Sequence, residues 1–436
     1  MHGEGEIGFF GIGKSSLALI SLLAESDAEI ILRSDEKIDT ARLPEGIRIK
    51  AIHQGQDAMA DITERRLFFS PSVRRDRPEL SDAEGRGCKF SSDFEFFLEA
   101  NQKPIYLITG SDGKSTTTTL VSRILGECYP AIGNIGEAMT PHLEDGAKGY
   151  VVEASSFMLE YARPRSRRAA ITSLTENHLN WHKTFEGYKR AKLRGIEGVG
   201  EAVISMDSPY LTGEDFPGGV FAATGSEMSM EDMRMQIRAE AYYDFCHGYL
   251  RENGRRLIHK SELRRGEVYN IRNYLTALAM TRGLRDRDEA IEVIRGFGGL
   301  AHRGEIVGCA AGVTYINSSI DTTPARTMAT LSGMPRGIII LLGGRDKGLD
   351  LAPLVKLIEA RGDRVIAFGE AAGRIRDAVG NRTFTARTMA EAVLAAMETA
   401  RRGDRVLLSP AAASYDEFSS FEERGEAFKK MVLQDL

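Results

Sequence analysis

Four side chains stand where chemistry could be built: Lys114, Glu153, His178 and Lys192. Lys114 belongs to the stretch IYLITGSDGKSTTTTL, Ile105–Leu120. Its apolar start, Ile105 to Ile108, reads as a buried strand. A turn of small and polar residues follows, and Lys114, Ser115 and Thr116 open a helical run. Such a loop aims backbone N–H groups and a helix N-terminus at one place, which suits a polyphosphate. Lys114 would bring a point charge to the phosphates, and the Ser115 hydroxyl a ligand for Mg²⁺. The segment TGSDGKST is a shortened Walker pattern, with Ile108 where the first glycine belongs. A GKS tripeptide alone is often an ordinary turn, but the strand–turn–helix setting favours the phosphate reading.

Glu153 ends the strand-like Tyr150–Val152 and opens Glu153-Ala154-Ser155-Ser156-Phe157. A carboxylate at the carboxyl end of such a strand sits where Mg²⁺ is held, the alternative being a solvated strand-end glutamate. The segment TENHLNWH, Thr175–His182, places two of the eight histidines and the only tryptophan within eight residues. A single histidine there would most often be structural. Lys192 lies one turn past Tyr188 in a helix expected over Phe185–Ile196, so it could point inward; composition alone makes it a surface lysine.

Three units must position these groups. In the first, Ile7–Phe10 and Glu29–Leu32 read as strands around a helix, Ser15–Ala24. Gly11-Ile12-Gly13-Lys14-Ser15-Ser16 lies between, and Asp35 closes the second strand. This is a dinucleotide-like fingerprint with Ser16 in place of the third glycine. It leaves three readings open: a bare turn, the diphosphate of a nucleotide-linked ligand, or NAD. Leu67–Phe69 leads into Ser70, and the polar stretch Arg74–Lys89 puts a boundary near residue 90. The second unit opens with a helix, Ser92–Ala100, capped by Ser92 or Asp93, and carries Gly133-Asn134-Ile135-Gly136 as a loop or plain turn. Helices are expected over Asn270–Leu284, which carries Asn273, and Asp288–Gly296. Pro209–Gly266 reads poorly, its methionines at 228, 230, 233 and 235 being core filling or a lid. Gly298–Arg303 reads as a hinge. Beyond it strands (Thr314–Ile316, Ile338–Leu342, Val365–Phe368, Val406–Leu408) alternate with helices (Pro324–Leu331, Leu351–Ala360, Ala371–Val379, Met389–Arg401), as in a parallel doubly wound domain. Domains are therefore expected at 1–90, 91–297 and 298–436.

A length of 436 residues suits about three domains. Hydrophobic content of 42% with 27% charged residues is ordinary for a soluble protein. The net charge of −5 argues against a general nucleic-acid binder. Four cysteines without metal or disulfide spacing suit a reducing compartment. No signal-peptide pattern and no apolar run of roughly 18–20 residues are present, so a cytoplasmic protein without membrane contact is expected.

TGSDGKST, GNIG, EASSF, NHLNWH followed by YKRAKLR, LAHRGE, LLGGRDKG and SPAAASYDEFSSFEERG occur in one order over nearly the whole chain. This ordered set resembles the Mur ligases of peptidoglycan synthesis. Within that family it is most similar to the branch joining D-glutamate to UDP-N-acetylmuramoyl-L-alanine. The resemblance implies an α/β protein of three domains. A Rossmann-like N-terminal domain would bind the UDP-sugar, a central P-loop domain with a parallel sheet ATP, and a Rossmann-like C-terminal domain the amino acid. It implies an ADP-forming ligase working through an acyl phosphate, two Mg²⁺ ions, and a monomer.

By the same resemblance, Gly110, Ser111, Asp112, Gly113, Lys114, Ser115 and Thr116 would hold ATP, with Asn273 near the adenine and Arg303 reaching ATP from the third unit. Ser115, Glu153, His178 and Lys192 would hold metal, Lys192 as a carbamate; this replaces its surface reading. Gly11, Ile12, Gly13, Lys14, Ser15, Ser16, Arg33, Ser34, Asp35 and Ser70 would hold the UDP end, and Asn134 and Ser155 the muramoyl-peptide part. Lys347, Ser414, Tyr415 and Phe421 would frame D-glutamate. Five positions depart from the family pattern. Asn177 and Asn180 flank the metal histidine where acids are common. Ser318 and Ile320 stand where Asp and Lys are common, with Asp321 adjacent and Arg326 as a replacement cation. Met158 also stands in place of a sugar-contacting Gln. Three other readings remain: another Mur or folylpolyglutamate-type ligase with a different acceptor, a non-catalytic nucleotide-sugar-binding relative, and an NAD-dependent enzyme built on the Gly11–Asp35 turn.

Overall fold

The computed structural model describes residues 6–24, 26–135, 138–211, 214, 216, 219–225, 230–266, 268–346, 348–380 and 383–434. The chain divides into two compact units, Met1–Phe297 and Gly298–Leu436.

The first unit holds two sheets. One is five-stranded and parallel, in the order Arg48–Gln54, Glu29–Ser34, Glu6–Phe10, Arg66–Phe69, Lys89–Ser91. Its central strands are apolar runs buried on both faces, as parallel strands are, with Phe9 stacked on Phe68 at 5.3 Å between ring centroids. Two pieces depart from the expectation. The edge strand Arg48–Gln54 is largely exposed and has no apolar run to announce it. The polar stretch after Arg74 contains a helix, Pro78–Gly85, and leads into Lys89–Ser91, which pairs with Arg66–Phe68. The break expected near residue 90 therefore falls inside a strand.

The second sheet has nine strands in the order Arg255–His259, Tyr249–Glu252, Ala241–Cys246, Gly219–Thr224, Glu201–Ser205, Arg168–Ile171, Ile105–Thr109, Tyr150–Glu153, Ala131–Gly133. All pairings are parallel except the two hairpin pairings at the 241–259 edge. Thus the hard-to-read segment supplies four strands and a short helix, Met230–Gln236. Met233 packs with Met206 and Tyr242 as core filling, while Met235 is exposed; Met228 lies outside the described residues. The strand Ile105–Thr109 sits between Arg168–Ile171 and Tyr150–Glu153. Parallel pairing brings the exits of all three to one edge, the usual place for a ligand in such sheets.

The second unit is a six-stranded sheet in the order Glu305–Ala310, Val313–Asn317, Arg405–Leu408, Ile339–Gly343, Arg364–Phe368, Thr383–Thr385. Only the first pairing is antiparallel. The four helices expected here are present, and a fifth, Phe421–Gln434, ends the described chain. Among the described residues no helix is long and apolar enough to cross a membrane.

Candidate functional site

The phosphate loop is shaped by what surrounds it. Gly110 has φ +147°, and a Cβ there would lie 2.1 Å from the Thr172 hydroxyl; Gly113 has φ +80°, and a Cβ would lie 2.3 Å from Asn273 Oδ1. Both positions therefore exclude side chains for reasons of space as well as backbone angle. The helix Lys114–Leu125 starts at once behind Gly113. Lys114 Nζ donates to the carbonyls of Gly110 (2.9 Å) and Ser111 (2.8 Å). The Ser111 hydroxyl lies 2.9 Å from the Tyr188 hydroxyl and bonds the Thr175 backbone, and the Asp112 N–H donates to Ser173 Oγ at 2.8 Å. So Ser111 fixes the loop to the neighbouring strand exit by its side chain. Asn273, expected near adenine, is buried against Gly113, with Thr117 Oγ1 3.3 Å from its Oδ1.

Beside the loop stand two buried ionisable groups. Glu153 is 1% exposed. Its Oε1 accepts from Asn134 Nδ2 at 2.7 Å, while its buried Oε2 has no hydrogen-bond partner among the described residues. Lys192 is also 1% exposed. The helix Phe185–Leu193, begun by the Thr184 hydroxyl accepting from Gly187 N–H, buries Tyr188, Ala191 and Lys192, the i, i+3, i+4 face of an amphipathic helix. Lys192 Nζ donates to Thr109 Oγ1 at 3.3 Å and lies 4.9 Å from the Tyr188 ring centroid. Burial holds its amine well below the ordinary lysine range; the charge of Lys114 adds to this, while Glu153 and Asp112 oppose it.

The two histidines of Thr175–His182 have different surroundings. His178 is exposed, adopts φ +52° and begins the four-residue helix Leu179–His182. Partial desolvation lowers its basicity, and the charges of Lys192 and Lys114 lower it further. His182 is buried, 3.0 Å from the Ser156 hydroxyl, and burial pushes it down to about 4. Lys114 and Glu153 thus lie within electrostatic reach of Lys192, and Lys114 and Lys192 within that of His178. Among the described residues no group of three or more His, Cys, Asp and Glu is placed to hold a metal. A metal here would depend on Glu153, His178, a hydroxyl and a modified lysine. The unpartnered buried Oε2 of Glu153 fits a cation.

A second feature of this unit is a cavity of about 720 Å³. Gly11, Ile12 and Gly13 line it where the helix Lys14–Leu23 begins, as do Ser34, Asp35 and Ser70. Lys14, Ser15 and Ser16 are not part of the lining; Ser16 Oγ instead ties the turn by donating to the Gly11 carbonyl at 2.7 Å. Arg33 is the clearest departure. It is fully buried away from the cavity, with Nε 2.6 Å from Glu64 Oε1 and its other donors on the carbonyls of Ala58, Ala60 and Asp61. Asp35 is held by both terminal nitrogens of Arg77, at 2.9 and 2.5 Å. Sequence reasoning missed the cationic side of this cavity, Arg42, Arg74 and Arg77, and also Trp181. The signal was the arginine-rich run Arg74-Arg75-Asp76-Arg77, read as linker. Asn134 and Ser155 stand by Glu153 instead: Ser155 caps the helix Ser156–Tyr161 by accepting from Met158 N–H at 3.2 Å.

In the second unit Asn317, Ser318 and Ser319 are fully buried at the end of their strand. Ser319 Oγ donates to the Phe421 carbonyl at 2.8 Å. Arg424, also fully buried, joins Ser319 to the carbonyls of Ala412 and Ala413. Ser414 is buried, whereas Tyr415 and Arg303 are exposed. Burial raises the Asp321 carboxyl, which accepts from Ser409 and Thr330, each at 2.7 Å. Arg326 is exposed and donates to the Ile320 carbonyl at 3.0 Å. Lys347 lies outside the described residues.

Residues 108–281 match the family model of the Mur ligase middle domain, and residues 302–412 that of the Mur ligase glutamate ligase domain. The chain is 33% identical to the UDP-N-acetylmuramoylalanine–D-glutamate ligase of Symbiobacterium thermophilum, over 97% of this chain and 96% of that protein. It is 31% identical to the ligase of the same name from Hahella chejuensis, over 98% and 97%. Among solved structures it is similar in fold to UDP-N-acetylmuramate–alanine ligase from Thermotoga maritima. The TM-score there is 0.57 at 17% identity, covering 99% of this chain and 100% of that one.

Proposed function

Because the chain belongs to the Mur ligase family, we infer that it is an ATP-dependent amide ligase that adds D-glutamate to UDP-N-acetylmuramoyl-L-alanine in peptidoglycan precursor synthesis. The substrate carboxylate attacks the γ-phosphorus of ATP, the bond to the β–γ bridging oxygen breaks, and ADP leaves. The amine of D-glutamate then attacks the acyl carbon and loses a proton, and phosphate departs as the amide forms. This chemistry needs charge stabilisation at the transferring phosphoryl group and little water nearby.

The observation that carries the site assignment is the pair of buried groups beside the phosphate loop. The Oε2 of Glu153 has no partner among the described residues, and Lys192 is held as a poorly basic amine. An uncharged amine is the form that adds CO₂, forming an N–C bond and losing a proton to give a carbamate. That reaction would turn a buried amine into a carboxylate-like ligand. Ser115, Glu153, His178 and carbamylated Lys192 are the groups that would hold two Mg²⁺ ions, whose charge would offset that of the phosphoryl oxygens. Lys114 and the loop N–H groups would cradle the β- and γ-phosphates, with Asn273 bracing the loop from behind and Arg303 as a further ATP contact. The Gly11–Gly13 turn, Ser34, Asp35 and Ser70 would hold the uridine diphosphate in the 720 Å³ cavity. The muramoyl-peptide part would extend toward Asn134 and Ser155. Lys347, Ser414, Tyr415 and Phe421 would frame D-glutamate.

A phosphate-release panel tests the reading. Release should require both UDP-N-acetylmuramoyl-L-alanine and D-glutamate. Undiminished release with L-glutamate, L-alanine or L-lysine in place of D-glutamate would refute the acceptor assignment.

A further inference from the structure

Trp181 touches both halves of the first unit. Its indole lines the 720 Å³ cavity, and its Nε1–H donates to the Ser72 carbonyl at 3.1 Å. Arg74 lies over the indole ring at 5.0 Å, a cation–π contact. Arg74 is in turn fixed by Asp76, at 2.7 and 2.6 Å, and Asp76 also takes Lys183 Nζ at 3.0 Å. The cavity-lining loop Ser70–Arg77 is therefore tied to the segment around Trp181 by a hydrogen bond, a ring contact and an ion pair.

The other end of this segment is His178. Trp181 N–H donates to the His178 carbonyl at 3.0 Å, and His182 N–H to the same oxygen at 2.9 Å. The four-residue helix between them is bounded by two residues of positive φ, His178 at +52° and Lys183 at +67°. Non-glycine residues hold that conformation only where their surroundings impose it. One ring touches three side chains of this segment: Phe157 packs against His178 at 4.8 Å, Trp181 at 4.9 Å and His182 at 5.8 Å. Leu179–His182 is thus a short bar that joins Trp181 to His178 through one helical turn and two backbone hydrogen bonds.

We propose that Trp181 is a positioning residue through which filling of the nucleotide-sugar cavity and filling of the phosphate-loop site are energetically coupled. The proposal rests on the functional reading above for the identity of the two ligands. Coupling of this kind is reciprocal: each ligand changes the affinity of the other by one common factor. What couples them is geometric. The cavity loop sets the indole, the indole sets the bar, and the bar sets the imidazole that stands beside Lys114 and Lys192.

The chain carries its own reporter, since Trp181 is its only tryptophan. With UDP and MgADP as probes, each alone should change the tryptophan emission of the full-length protein. By calorimetry, each should shift the affinity of the other by the same factor, about fivefold or more. Trp181→Phe keeps a ring against Phe157 and loses the N–H to Ser72, while Trp181→Ala loses both. Both variants should still bind MgADP singly and should bind UDP more weakly, because the indole lines its cavity, with the coupling factor reduced in Trp181→Phe and near one in Trp181→Ala. A purely structural role would weaken both single affinities and leave the factor intact. Wild-type protein that binds both probes without coupling would overturn the proposal, as would full coupling in Trp181→Ala. If Trp181→Ala binds neither probe, Trp181→Phe decides by the same measure, full coupling there overturning the proposal. Wild-type protein that binds neither UDP nor MgADP would overturn the functional reading itself, a result distinct from the others.

Discussion

Arg33 with Glu64 and Lys192 with Glu153 are both buried sets of ionisable groups in the same unit, and they differ in how charge is met. Arg33 and Glu64 have side chains with no exposure and stand 2.6 Å apart. The remaining Arg33 donors reach three backbone carbonyls. Glu64 leaves one oxygen without a hydrogen bond, but its charge is met directly by the guanidinium. At the phosphate loop, Glu153 receives a neutral amide on one oxygen and, among the described residues, no hydrogen bond on the other, while Lys192 donates to a hydroxyl and lies over the Tyr188 ring. Burial is common to both sets. Only the second leaves charge to be met by something outside the chain, which is the condition a metal and a polyphosphate satisfy.

The sharpest way to break this contrast is to remove one partner from the closed pair. Arg33→Leu should destabilise the protein by about 3–5 kcal/mol, because it leaves the Glu64 carboxylate buried and unpaired. Adding Glu64→Leu should recover most of that loss, since an apolar pair of similar volume replaces an ion pair at little net cost. Denaturant midpoints of the two variants measure both effects. Equal midpoints for Arg33→Leu and wild type would show that Arg33 does not hold the fold.

Lys192→Ala removes a group whose burial itself costs stability. Its folded-state amine is held well below the range of an unfolded lysine, so between those two values the unfolded chain binds more protons. The wild-type lysine therefore costs stability at neutral pH, a cost that fades as pH rises toward about 10.4. In CO₂-depleted buffer, relief of that cost should offset part of the packing lost with the side chain, least so at high pH. Turnover, by contrast, should fall by about 10²–10³-fold, the scale for losing one preorganised electrostatic group. Added formate or acetate should restore part of it. Phosphate release with and without the added carboxylate checks this, and turnover unchanged from wild type would remove Lys192 from the site.

What was legible in the chain follows the same division. Lys114 and Glu153 could be placed because a strand, a glycine turn and a helix are local patterns, and their neighbourhood follows from parallel strand order. The alternating strands and helices from Val313 to Leu408 were legible for the same reason. Arg33 was misplaced because it adjoins Ser34 and Asp35 in sequence, whereas successive strand residues point to opposite faces. Ser34 lines the cavity and Arg33 turns into the core. Lys192 read as a surface residue until its family was considered, because only packing against Thr109 and Tyr188 shows which helix face is covered. The strand Arg48–Gln54 has no apolar run and owes its extended form to pairing with Glu29–Ser34. Trp181 was noticed beside His178, but its contact with Ser72 spans 109 positions and leaves no local trace.

The histidines of Thr175–His182 repeat the contrast on a smaller scale. His182 is buried, and its Nε2 is met by the Ser156 hydroxyl, so the neutral ring is satisfied where it stands. Burial, with Lys192 the next contributor, lowers it from the ordinary 6.5 to about 4. Between those values the unfolded chain takes up a proton that the folded chain refuses. Stability from this group is present above pH 6.5, declines as pH falls toward 4, and changes no further below that. His182→Gln, which can still meet Ser156 but does not titrate, should flatten the acid side of the stability curve by about 1–3 kcal/mol. It should also leave turnover at neutral pH far less affected than His178→Gln does. Melting temperatures from pH 7 to pH 4 test the first expectation and phosphate release the second. An acid limb as steep in His182→Gln as in wild type would mean that the buried ring is not what the fold protects.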